Sequence, residues 1–192
     1  MRASSRRACL LLVGLLAAGV APARVLLSVD EALALAFPGA MIERRTVFLT
    51  EEQRARAEQL AGARLASAIV HPYVARRDGA EVGTAYFDTH LVRTLQETIL
   101  VVVAPDGRVA RVEVLAFDEP PDYLPRTEWY RQFDGRPLDA ELDLRRSIRP
   151  VTGATLTARS TTDAVRRVLA LHGTLAERAP AAAAAAAGGP PR

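Results

Sequence analysis

The sequence predicts a single α+β domain in which an antiparallel sheet carries packed helices. Three observations lead there. From Thr50 to Ala68, and again after Thr157, apolar residues recur at helical spacing, whereas between Ile69 and Phe117 they recur at every second position. Turn signals at Asp78-Gly79 and Asp106-Gly107 divide the alternating stretch into strands. The length of 192 residues suits one domain with appendages and buries an ordinary core without disulfides or metals as staples.

Taken in order, Ser28 to Phe37 reads as a short helix stopped by Pro38, with Ser28 or Asp30 as its cap. Met41 to Leu49 reads as a strand. Thr50-Glu51-Glu52-Gln53 is a capping box that opens a helix to about Ala68, with Ala57, Leu60, Ala61, Leu65 and Ala68 on its apolar side. Ile69 to Ala75 and Val82 to Thr89 read as strands joined across Arg77-Asp78-Gly79. Glu97 to Ala104 and Arg108 to Phe117 form a hairpin across Pro105-Asp106-Gly107. In its second strand Ala110, Val112, Val114 and Ala116 share one face, with Arg111 and Glu113 on the other. A proline-rich loop from Asp118 to Pro125 leads to a short helix at Thr127 to Phe133, which carries the single tryptophan, Trp129, and stops at Asp134-Gly135. The final helix is expected from Thr157 to Leu171, closed by Gly173.

The ends read differently. Residues 1–23 have the form of a signal peptide: Arg2, Arg6 and Arg7, then an apolar run from Cys9 to Val20, then Ala21-Pro22-Ala23 as a small-residue cleavage site. Residues 24–179 are the domain, and 180–192 form an Ala/Gly/Pro-rich tail expected to be disordered. The expected location is the periplasm or another exported compartment; an uncleaved segment would instead anchor the chain by its amino terminus. Cys9 is the only cysteine and would leave with the signal peptide. The mature chain would then have no thiol for a disulfide, an iron–sulfur cluster or c-type haem.

Charge excludes further classes. The isoelectric point of about 9.6 suggests a nucleic-acid partner, but three of the 25 basic residues lie in the first seven positions, and the other 22 balance 22 acidic ones. No nucleic acid is expected. All 25 cations are arginine, so Schiff-base and P-loop lysine chemistry is absent.

Few motifs carry chemistry. His71, His90 and His172 lack zinc-ligand spacing and read as structural or surface residues. Asp118-Glu119 and Asp139 to Asp143 read as solvated loops. The exception is Pro150-Val151-Thr152-Gly153-Ala154-Thr155-Leu156-Thr157, directly ahead of the last helix. Gly153 allows a positive φ or the close approach of a bulky group, and Ala154 adds little bulk. The helix N-terminus offers free N–H groups and a positive dipole end, which suit a phosphate. The same residues also read as a plain helix start capped by Thr155 or Thr157.

On this segment the chain resembles the FMN-binding domain family, which includes components of the sodium-translocating NADH:quinone reductase and of the Rnf complex. The family carries Ser or Thr followed by Gly-Ala-Thr, often continuing Leu-Thr, before a C-terminal helix. Thr152, Gly153, Ala154 and Thr155 match it, with Leu156 and Thr157 next. The resemblance spans Val82 to Leu171 and takes in Gly83 to Arg93, Pro105-Asp106-Gly107 and the Trp129 helix. It implies that a periplasmic flavin transferase joins the phosphate of FMN to Thr155, with backbone N–H groups near Gly153 to Thr157 holding that phosphate. Six residues before Thr155, where the family commonly has Asp, stands Arg149.

Within that resemblance Trp129 is the candidate for stacking on the flavin ring, or else an interior anchor for its helix. Arg93 or Arg149 would balance negative charge on the reduced ring, and His90 would shape the pocket. The expected function is electron transfer by an exported flavoprotein with covalent FMN, exchanging electrons with membrane or periplasmic redox partners and leaning away from a stand-alone enzyme. The alternative is a periplasmic binding or sensory module of the same fold without covalent flavin.

Overall fold

The computed structural model describes residues 24–187. The expected signal peptide and positions 188–192 of the tail lie outside the described residues. The sheet is six-stranded, in the order β1-β8-β7-β6-β5-β2. Its strands are β1 (Arg24–Val25), β2 (Met41–Arg44), β5 (Tyr73–Arg77), β6 (Ala80–Leu91), β7 (Gln96–Val103) and β8 (Val109–Phe117), and every pairing is antiparallel. A separate pair, β3 (Val47–Phe48) and β4 (Ile69–Val70), continues beyond β2 and β5. The helices are α1 (Val29–Ala36), α2 (Glu51–Ala61), α3 (Thr127–Tyr130) and α4 (Thr155–Ala187). The expected α+β architecture is what forms.

Alternation along the central strand β7 builds a core on each face of the sheet. Ile99, Val101 and Val103 face α2 and α4, together with Tyr86, Val109, Val112, Phe133, Val165, Val168 and Leu169. Leu100 and Val102 face α1, where Ala32, Leu33 and Phe37 cover them. Each fully buried side chain of this size contributes about 1.5–3 kcal/mol. Contact is closest at Gly83. A Cβ there would lie 3.0 Å from both the Phe37 ring and the Val103 carbonyl oxygen, so only glycine lets the ring seat against β6.

Local signals set the helix starts. Ser28 and Glu31 form a capping box on α1, which settles the choice between Ser28 and Asp30. Thr50 and Gln53 form a second box on α2. Asp78 and Gly79, both at positive φ, make the two-residue turn between β5 and β6.

Five expectations need correction. The strand read from Met41 to Leu49 is two strands, as is that from Ile69 to Ala75, because the pair breaks where the Pro72 carbonyl accepts from Arg45 N–H. Helix α2 ends at Ala61, not Ala68, since Gly62 takes the left-handed conformation (φ 71°) and stops it. In β8 the simple alternation fails: the register shifts at Ala110 and again at Leu115. Val109 and Val112 thereby reach one core and Leu115 the other, as an extra residue flips the faces. Finally, α4 starts at Thr155 and runs through Gly173 to Ala187, whereas the sequence alone suggests an end at Gly173 and a tail from Pro180. Gly173 sits there without a packing neighbour, and the alanine run after it has the strongest intrinsic helix preference.

Candidate functional site

The tetrad opens α4. Val151 to Ala154 form a four-residue turn closed by Ala154 N–H donating to the Val151 carbonyl (3.2 Å), with Gly153 left-handed at φ 84°. Ala154 is buried under the turn, while Thr152, Gly153 and Thr155 are exposed. The Thr155 hydroxyl donates to the Val151 carbonyl (3.2 Å), and that of Thr157, itself buried, donates to the Tyr123 carbonyl (2.7 Å). Both hydroxyls therefore act as donors to carbonyls, so the expected capping role falls to neither. The first N–H groups of α4 have no partner within the helix, as at any helix start.

A cavity of about 250 Å³ lies at this point, lined by Val92, Arg93, Tyr123 and the backbone and side chains of Gly153 to Thr157. Arg93 comes from the tip of the β6–β7 hairpin, and its guanidinium lies over the Tyr123 ring, 5.4 Å from the centroid. The tip is held by Glu119. One oxygen of that buried carboxylate accepts the N–H groups of Thr94 (2.7 Å), Leu95 (2.9 Å) and Arg93 (3.2 Å). The Thr94 bond does most to hold its pKa below the usual carboxylate range, with those of Leu95 and Arg93 helping. Glu119 is thus a structural clamp, in place of the solvated loop residue that the sequence suggested. Tyr123 and Glu119 were not legible as site residues, because nothing local distinguishes an Asp-Glu-Pro-Pro loop that folds inward.

Structure brings together Thr155, Ala154, Gly153, Thr157 and Arg93; Thr152 belongs to the same turn. Neither His90 nor Trp129 is among the residues lining this cavity. His90 is nearly buried in the sheet, its Nδ1 2.9 Å from Asp88 and its Nε2 3.0 Å from Glu97. Glu97 is fully buried and also accepts from the hydroxyls of Thr161 (2.8 Å) and Tyr130 (3.2 Å). Arg167 of α4 closes the chain by pairing with Asp88 at 2.8 Å. Burial alone would lower the His90 pKa, but the two carboxylates outweigh it and raise it, as suits a ring donating from both nitrogens. Trp129 packs edge-on to Tyr130 and Phe133, and its indole N–H donates to the Arg149 carbonyl (2.7 Å).

A glycine turn, an exposed threonine hydroxyl and an arginine thus line one cavity. Residues 96–170 match the family model of the FMN-binding domain. Over that stretch the chain is similar to an FMN-binding domain. The match takes in β7, β8, α3 and the first half of α4, and therefore the tetrad, Glu119 and Tyr123; the Gly83 to Arg93 stretch precedes it. No curated protein and no solved structure matches the chain. Among the described residues, no helix is long and apolar enough to cross a membrane.

Proposed function

We propose that this protein is an exported electron-transfer flavoprotein whose FMN is esterified through its phosphate to the Thr155 hydroxyl. The observation that carries the reading is the exposed Thr155 hydroxyl at the mouth of a cavity formed by the α4 N-terminus and Arg93. The residues present fit the group. The N–H groups of the first turn and the Arg93 guanidinium supply donors and positive charge for a phosphodiester, whose remaining oxygen stays anionic. Gly153 keeps side-chain bulk away, and exposed Leu156 leaves apolar surface beside the tether. Bound flavin supplies one- and two-electron transfer.

Attachment needs an activated donor, since free FMN does not esterify readily in water. A flavin transferase with a flavin dinucleotide meets that need. The Thr155 oxygen forms the new bond to the FMN phosphorus, the anhydride bond breaks, the nucleotide leaves with its phosphate, and the hydroxyl proton passes to a base on the transferase. This chain orients the oxygen through the Val151 carbonyl, which holds the hydroxyl hydrogen and leaves lone pairs outward. Arg93 neutralises the phosphate, and the redox partners are membrane or periplasmic proteins.

The decisive experiment is intact mass with in-gel flavin fluorescence after export and co-expression with a flavin transferase. A gain of one FMN less water on the peptide containing Thr155 is expected, and Thr155→Val folds normally but stays colourless. Retention of covalent flavin in that variant, or an unmodified wild-type chain, overturns the covalent reading.

A further inference from the structure

Behind the tetrad the backbone of one residue is gripped on both sides. The Arg149 carbonyl accepts from the Trp129 indole N–H at 2.7 Å, and the Arg149 N–H donates to the Gln132 amide oxygen at 2.9 Å. The remaining Gln132 amide group donates to the Trp129 carbonyl (3.1 Å), which orients the fork. Two residues further on, the Val151 carbonyl receives both the Ala154 N–H that closes the turn and the Thr155 hydroxyl. A continuous path thus runs from the α3 turn, through a fixed Arg149 peptide and the Val151 carbonyl, to the reacting oxygen.

We propose that Trp129 and Gln132 are positioning residues for flavin attachment: by clamping the Arg149 backbone they preset the turn that presents Thr155. The inference rests on the reading of Thr155 as the acceptor. It gives the indole a role in loading the flavin, and it makes the Arg149 side chain dispensable for loop geometry, because the fold uses only that residue's peptide groups. The physical reason is the entropy of presentation. A transferase that meets an ordered turn need not order it, so preorganisation appears as a faster attachment step.

The test uses the full chain with three kinds of variant. Trp129→Phe keeps an aromatic ring and removes the N–H. Gln132→Met removes both amide groups, and Gln132→Glu restores the acceptor. Amide hydrogen exchange across Arg149 to Thr155 is read on the flavin-free protein, and the initial rate of flavin incorporation is read with transferase. Trp129→Phe and Gln132→Met are expected to exchange about five- to tenfold faster at Arg149 and Ala154, and to load more slowly by a similar factor. Gln132→Glu keeps the acceptor for the Arg149 N–H but loses the donor to the Trp129 carbonyl, so it falls between wild type and Gln132→Met, and thermal midpoints move little. Wild-type exchange and loading in both deletion variants would overturn the clamp. So would loosening in Arg149→Asp as large as that in Trp129→Phe, because that would place the hold in the side chain. If the wild-type chain takes no flavin, the Thr155 reading fails, and the exchange measurements alone still decide whether the clamp orders the turn.

Discussion

At the scale of residues, the most consequential group is Glu97, a fully buried carboxyl group whose ion-pair partner among the described residues is His90. Its burial is offset because His90, Thr161 and Tyr130 all bond to it. Glu97→Ala should therefore cost about 3–5 kcal/mol in urea unfolding, far more than lost packing explains, because His90 is left as a buried cation with one partner. A change no larger than that of an exposed substitution would count against the network. The same groups set a pH window. For His90 burial lowers the pKa, but Asp88 and Glu97 raise it above the usual value of about 6.5. Its contribution is complete below that usual value and is lost as pH rises through the raised one. For Asp88 burial raises the pKa, but His90 and Arg167 lower it below the usual value of about 3.9. Its contribution is present above that usual value and is lost as pH falls through the lowered one. Their joint contribution should be flat between about pH 4 and 6.5 and decline on both sides; a stability difference between wild type and His90→Gln that still grows above pH 7 would contradict the His90 assignment. None of this was legible in sequence. His90 and Glu97 are seven positions apart, but Thr161 lies 64 positions from Glu97, and only the packing of α4 on β7 brings them together.

At the scale of elements, features closed by neighbours in sequence were the legible ones. Both capping boxes join residues three positions apart, and the Asp78-Gly79 and Asp106-Gly107 turns need only their own backbone preferences. The tetrad turn belongs to this class too, since the glycine required at φ 84° is visible in the string of residues. Gly153→Ala should cost about 1–2 kcal/mol from backbone strain alone, because a Cβ there meets no atom. Flavin incorporation should slow with it, and an unchanged unfolding midpoint would argue against the left-handed turn. The bulges in β8 were not legible. Alternation of apolar residues survives on paper while two extra residues swap the faces, and which residue is expelled depends on the partner strand.

At the scale of the whole molecule, the site exists because distant pieces converge on the start of α4. The β6–β7 tip brings Arg93, the segment after β8 brings Glu119 and Tyr123, and the α3 turn brings Trp129 and Gln132. Arg166 secures the helix that carries the tetrad, donating to the carbonyls of Ala61 (3.1 Å), Asp139 (2.8 Å) and Leu142 (2.9 Å). Arg166→Met keeps much of the aliphatic stem and removes these charged donors, so it should destabilise by about 1.5–3 kcal/mol; equal stability in denaturant would remove it as a strut. By itself the sequence determined the α+β class, the starts of α1 and α2, the two Asp-Gly turns and the Thr152 to Thr155 motif, because each is written in contiguous residues whose conformational preferences act locally. Tertiary structure alone decided that Glu119 faces inward as a clamp, that His90 lies in a buried charge network, and that Trp129 grips a backbone carbonyl. Those outcomes depend on which groups lose water together, and that is settled only when sheet and helices have packed.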